Sequence, residues 1–248
     1  MQAVCSRIAY SLALGSVATA CIAIVVSRYI FASRYLAMIE RRGGIVEREP
    51  VRPQLIYQIF GDRILSPAER IVGISFSIRA IDDSVATLIG YSTGVRELEL
   101  SGAELSDEGV HAALTQRSLQ SLFIARAGIS DMSIERVCRR RSITTLSLVF
   151  CDRLTNSSVD RIATMAQLDS LSLRGCDGID GSAFGKLKEL TALTKLDLAY
   201  SNIDDEDVEF IAAMPLLRSV DLSYTSVSTE AIDNLRRRTR CQIVVTAD

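Results

Sequence analysis

The chain has 248 residues, 48% of them hydrophobic and 23% charged, with no Trp and a single His. It is long enough for one or two domains with a core and too apolar for a disordered chain; one His excludes a His-rich metal cluster, and a net charge of −2 argues against a dedicated nucleic-acid binder. That total hides a split: residues 1–70 hold nine Lys+Arg against five Asp+Glu, and residues 71–248 hold 19 against 25.

Between Arg7 and Arg28 lie 20 uncharged residues, Ile8 to Ser27, most of them apolar. As a helix rising about 1.5 Å per residue they reach roughly 30 Å, the hydrocarbon thickness of a bilayer. A core helix would show a polar face, and this segment shows none, so residues 8–27 are predicted to be a single-pass transmembrane helix. Ala18-Thr19-Ala20 before Cys21 also fits a cleavage or lipidation box, but the apolar run continues through Ile22 to Val26, which favours an uncleaved anchor. Arg28, Arg34, Arg41 and Arg42 follow the span, whereas Arg7 alone precedes it; the positive-inside rule then leaves the rest of the chain in the cytoplasm.

Residues 28–42 can continue as a juxtamembrane helix, with Tyr29, Phe31 and Tyr35 suited to the interface and Gly43-Gly44 ending it. Ile45-Val46 is expected as a short strand, and Pro50 and Pro53 mark a linker. Residues 43–70 are read as linker and N-terminal cap, the capping character extending through an atypical first unit to residue 90.

From residue 71 the chain repeats. An aliphatic residue, two variable ones, an aliphatic, one variable and an aliphatic recur at Val95-Leu98-Leu100, Leu119-Leu122-Ile124, Ile143-Leu146-Leu148, Leu168-Leu171-Leu173, Leu193-Leu196-Leu198 and Leu217-Val220-Leu222. The starts step by 24 or 25 residues. Stepping back finds Ile71-Ile74-Phe76, and stepping forward finds a weaker Cys241-Val244-Thr246. Ten or eleven residues into each unit comes a further aliphatic, followed by cap residues such as Ser106-Asp107, Ser130-Asp131, Thr155-Asn156, Asp204-Asp205 and Ser228-Thr229. Each unit is therefore expected to be a strand, a turn and a short capped helix, and stacked units share one core.

These repeats resemble those of leucine-rich repeat proteins over about residues 71–248, in about seven units. The resemblance implies an α/β solenoid with a parallel sheet on one side and short helices on the other, preceded by the transmembrane helix. LSLVFCDRL (146–154) and LSLRGCDGI (171–179) match the Cys-containing variant of the repeat. The last units and the stretch from Met38 to Val46 are similar to bacterial N-terminally membrane-anchored members, a group that carries no established activity.

Little in the sequence points to catalysis. The six cysteines include no C-x-x-C pair, so a zinc site is not expected; Cys151 and Cys176, at one repeat position in consecutive units, read as buried thiols, with a disulfide geometrically conceivable. His111 has no nucleophile partner, and no Gly-rich phosphate loop precedes a helix. The arginine runs at 139–141 and 236–238 fall at helix ends, where the helix dipole favours cations. No enzyme, cofactor or metal is expected. The variable strand positions are mostly Ser, and against that background Phe123, Arg126, Phe150, Arg174, Asp197, Tyr200, Asp221 and Tyr224 form the candidate surface for a protein partner. The expected function is a membrane-anchored protein-binding module, with self-association through the C-terminal edge of the solenoid as a further option. The alternatives are an F-box-like subunit of a ubiquitin ligase, for which residues 43–70 leave little room, and a purely structural envelope protein.

Overall fold

The computed structural model describes residues 37–51, 68–76, 82–90, 94–102, 104–115 and 118–246. The apolar run at 8–27 lies outside them, and among the described residues no helix is long and apolar enough to cross a membrane.

Nine strands of the described residues form one sheet in chain order: β1 (Gly44–Val51), β2 (Ala68–Phe76), β3 (Glu97–Ser101), β4 (Ser121–Ala125), β5 (Thr145–Val149), β6 (Ser170–Ser172), β7 (Lys195–Asp197), β8 (Ser219–Asp221) and β9 (Gln242–Val244). From β2 onward every pairing is parallel, and the repeat explains the register. Side chains alternate across a strand, so the second and third aliphatics of each unit face the same side. Leu98, Leu122, Leu146, Leu171, Leu196 and Val220 stand in register on neighbouring strands, each nearly or completely buried. Helices close the other side: α1 (Asp83–Gly90), α2 (Asp107–Ala113), α3 (Asp131–Cys138), α4 (Asn156–Ile162) and α5 (Thr229–Arg238). The result is an α/β solenoid of stacked repeats with one continuous apolar core among the described residues.

Two units replace the α-helix with a 3-10 helix, Gly181–Glu189 and Asp207–Ala213. Gly181 and Gly185 weaken α-helix in the first, and Pro215 after Met214 stops the second.

The expected caps form at Ser106, Ser130, Thr155, Asp180 and Ser228, each accepting a backbone N–H from the following turn. Asp204 departs: the cap falls at Glu206, and the Asp204 carboxylate accepts from the Glu206 N–H.

The N-terminal edge is more regular than expected. The helical turn at 37–41 ends at Gly43 (φ 86°), as the glycine pair predicts, and buries Ile39 in the solenoid core. The short strand expected at Ile45-Val46 runs on to Val51, antiparallel to β2. Pro50 is tolerated there because, among the described residues, β1 is an edge strand. At the other end the register differs from expectation. Val220 pairs with Ile243, so the inward positions of the last strand follow Ile243 and not Cys241-Val244-Thr246. A slip of one residue exchanges the two faces of a strand, and burial settles on the larger aliphatic Ile243, while Val244 turns outward.

Cys151 and Cys176 are free, buried thiols. Each Sγ–H points to a carbonyl of the preceding coil, Cys151 to Ile124 O at 3.9 Å and Cys176 to Leu148 O at 3.4 Å. Burial pushes both thiols up, to about 11 and about 12. The arginine runs are partly paired: Arg139 with Glu135, Arg236 with Asp233 and Arg238 with Glu209.

Candidate functional site: an aromatic ladder at the strand exits

Each coil leaves its strand through one residue, seven positions after the first aliphatic. In order these are Gly102, Arg126, Phe150, Gly175, Tyr200 and Tyr224. Their backbone N–H groups extend the sheet's hydrogen bonding by one rung: Arg126 donates to Val149 O, Phe150 to Arg174 O, Gly175 to Ala199 O, Tyr200 to Ser223 O and Tyr224 to Thr246 O, all at 2.8–3.0 Å. All six have positive φ, from 50° at Arg126 to 151° at Gly102. The turn carries the following residue inward, which is why that position holds small side chains such as Ala127, Cys151, Cys176 and Ser201.

Glycine adopts a left-handed conformation freely, whereas an L-residue with a side chain loses about 1–2 kcal/mol there. Arg126, Phe150, Tyr200 and Tyr224 are the four non-glycine residues with positive φ among the described residues. Their side chains form one stack. Arg126 lies over the Phe150 ring at 5.5 Å, Phe150 meets Tyr200 at 6.0 Å in a tilted contact, and Tyr200 stacks on Tyr224 at 4.3 Å with 17° between planes. Such contacts contribute roughly 0.5–1.5 kcal/mol per aromatic pair, enough to offset part of the backbone strain.

Gly175 makes the stack continuous. The Phe150 ring crosses the place where its side chain would stand: a Cβ on Gly175 would lie 2.3 Å from Phe150 Cδ1 and Cε1. With no side chain there, Phe150 reaches across one coil to Tyr200.

A charged cluster on the sheet face borders the tyrosines. Arg174 lies over the Tyr200 ring at 4.8 Å and faces Asp197 and Asp221, each at 3.7 Å. Both carboxylates also hold backbone, Asp197 accepting from Ala199 N and Asp221 from Ser223 N, and Ser172 Oγ donates to Asp197 at 2.9 Å. Seven of the eight residues expected at a partner surface therefore meet in one network. Phe123 does not join it. It sits within β4, opposite Glu99 and Ser147, and lines a separate shallow groove of about 340 Å³ with Glu47, Glu97 and Glu99. Phe123 is a mid-strand outward residue, whereas Phe150 lies past the end of its strand at φ 52°.

In the sequence Gly175 reads as part of a repeat turn, Gly175-Cys176-Asp177-Gly178, with no link to the aromatic residues. Glycine occupies two of the six positions, Gly102 and Gly175, and large residues the other four; glycine is the residue that a left-handed turn favours. Tyr200 remains 39% exposed, so the ladder is a surface feature and not a core. Among the described residues no three His, Cys, Asp or Glu side chains gather as a metal site. His111 is an exposed residue in the last turn of α2.

A family model described as Leucine Rich repeat matches residues 91–112 and 189–212. Among solved structures the chain is similar to an internalin C2 from Listeria monocytogenes, with 20% identity, 72% of this chain and 81% of that chain covered, and a TM-score of 0.49. A search of curated proteins finds no match. Leucine-rich repeat solenoids in general present an extended surface for binding other proteins.

Proposed function

We propose that this protein is an interaction module that docks a protein partner on the ladder Arg126–Phe150–Tyr200–Tyr224 and the adjoining Arg174, Asp197 and Asp221. The observation that carries this reading is the coincidence of strain with exposure. Among the described residues, the four non-glycine ones in the left-handed region are the same four that make up the outward stack. Glycine would remove the strain at each position, and a large side chain is kept there instead. Stacked tyrosines flanked by Arg and Asp have the composition of interface anchors, and their mutual contacts hold them rigid before a partner arrives.

The apolar run at residues 8–27 supports a second element of the reading, a tether that holds the module at a membrane with the repeats on the cytoplasmic side. Protease accessibility in intact and lysed cells checks that side: repeats cleaved only after lysis fit it, and cleavage in intact cells rejects it.

The ladder is tested by replacing Tyr200 and Tyr224 together with Ala. Capture of the native partner should be lost while the circular dichroism of the solenoid is unchanged. Undiminished capture by a folded double variant rejects the site.

A further inference from the structure

The two arginines of the ladder are in opposite states. Arg174 is neutralised inside the protein, with Asp197 and Asp221 both at 3.7 Å. Arg126 is exposed, and among the described residues no carboxylate lies within ion-pair distance of its guanidinium. Its guanidinium carbon lies over the Phe150 ring, 5.5 Å from the centroid, a contact that holds the cation beside the ring. Beside it opens a groove of about 590 Å³, walled by Phe150 and bordered by Arg153, Asp152 and Asp177. Arg153 donates one N–H to Gly128 O at 2.7 Å. Arg126 is the ladder arginine with no carboxylate partner among the described residues.

Resting on the reading of the ladder as a protein-docking surface, we propose that the partner is a polypeptide segment that places an acidic side chain on Arg126 and a large apolar side chain against Tyr200 and Tyr224. A carboxylate matches the planar donor edge of a guanidinium in a paired hydrogen-bonding geometry. The spacing follows from the coils. Arg126 and Tyr200 are three coils apart, about 14 Å at roughly 4.8 Å per strand step. An extended chain covers that in about four or five residues. The recognised segment therefore carries Asp or Glu four or five positions from a large aliphatic or aromatic residue. Arg126 also meets its ligand without losing an internal pair, whereas Arg174 would have to give up two.

The test uses the full-length chain in detergent and a phage-displayed library of random dodecapeptides. Peptides whose capture is lost with Tyr200→Ala/Tyr224→Ala define the ladder-dependent set. That set should be enriched in an acidic residue at the stated spacing from an apolar one. Arg126→Gln should weaken these peptides roughly tenfold or more, as expected for hydrogen bonds to a charged group, and Arg126→Lys should recover part of the loss. Arg126→Glu should turn the selection towards basic peptides, a readout that mere surface damage would not produce. A ladder-dependent set with no acidic preference, or one that binds the Arg126→Gln and parent chains equally, overturns the inference and leaves the ladder reading standing. A library that yields no ladder-dependent peptide overturns both.

Discussion

Two chains of contacts join the coils along their strand-to-helix connections, and they are built on opposite terms. One runs through the helix caps. Asp83 accepts from the backbone N–H and hydroxyl of Ser106, Asp107 from those of Ser130, and Asp131 from those of Thr155, at 2.5–3.0 Å. The Ser133 and Ser158 hydroxyls, in fully buried serines, donate to Asp107 and Asp131. Asn156 and Asp205 continue the same bond to Asp180 N and Ser228 N. The other chain is the ladder, where large side chains hold a conformation that favours glycine. The caps satisfy donors in each coil with the residues that local rules prefer. The ladder breaks a local rule and exposes the result. Positions that agree with every local preference build the solenoid, and positions that violate one form the outward stack.

Breaking a link of the cap chain should have the largest effect. Asp107→Ala leaves the Ser130 N–H, the Ser130 hydroxyl and the buried Ser133 hydroxyl without their acceptor, and should destabilise the chain by about 2–3 kcal/mol in chemical denaturation. The same link should carry an acid signature. Burial pushes the Asp107 carboxyl up, but the hydrogen bonds from Ser130 and Ser133 outweigh it and leave its pKa below the ordinary 3.8. A lowered folded pKa contributes stability that is present above the ordinary value and lost as pH falls through the folded one. Wild-type stability should therefore fall more steeply below pH ~4 than that of Asp107→Asn.

On the ladder, Gly175→Ala should cost about 1–2 kcal/mol of stability, from a side chain at φ 61° and a Cβ driven into Phe150. It should also part Phe150 from Tyr200, so partner capture falls although no ladder side chain has been altered. The smallest effect sharpens the contrast most. At Tyr224 (φ 58°) glycine should give a protein more stable than alanine by about 1 kcal/mol, because only glycine relieves the turn. Thermal unfolding of Tyr224→Gly and Tyr224→Ala checks the order; alanine equal to or above glycine would remove strain from the account.

The parts legible in the sequence are those where one physical requirement fixes one position. Aliphatics at Leu122 and Ile124 must face one side of a strand, and Ser130 before Asp131 must cap a helix, so the solenoid could be read directly. The last strand escaped because Cys241-Val244-Thr246 and the observed register around Ile243 differ by one residue, and weak patterning does not fix register. The 3-10 helices escaped because the buried positions do not separate the two helix types: Val159, Ile162 and Met165 of an α-helical unit step by three as Val208, Ile211 and Met214 do. At the candidate site the residue types were legible and their connection was not. Phe123 and Phe150 look alike as aromatics near strands, and the backbone turn separates them.

The most direct test places a photo-crosslinking phenylalanine analogue at Tyr200, on the ladder, and in a second chain at Met132, an exposed apolar residue on the helix side. The ladder account predicts a covalent adduct with one discrete protein from position 200, absent from position 132 and competed by unlabelled parent chain. An adduct formed equally from both positions, or from position 132 alone, would contradict it.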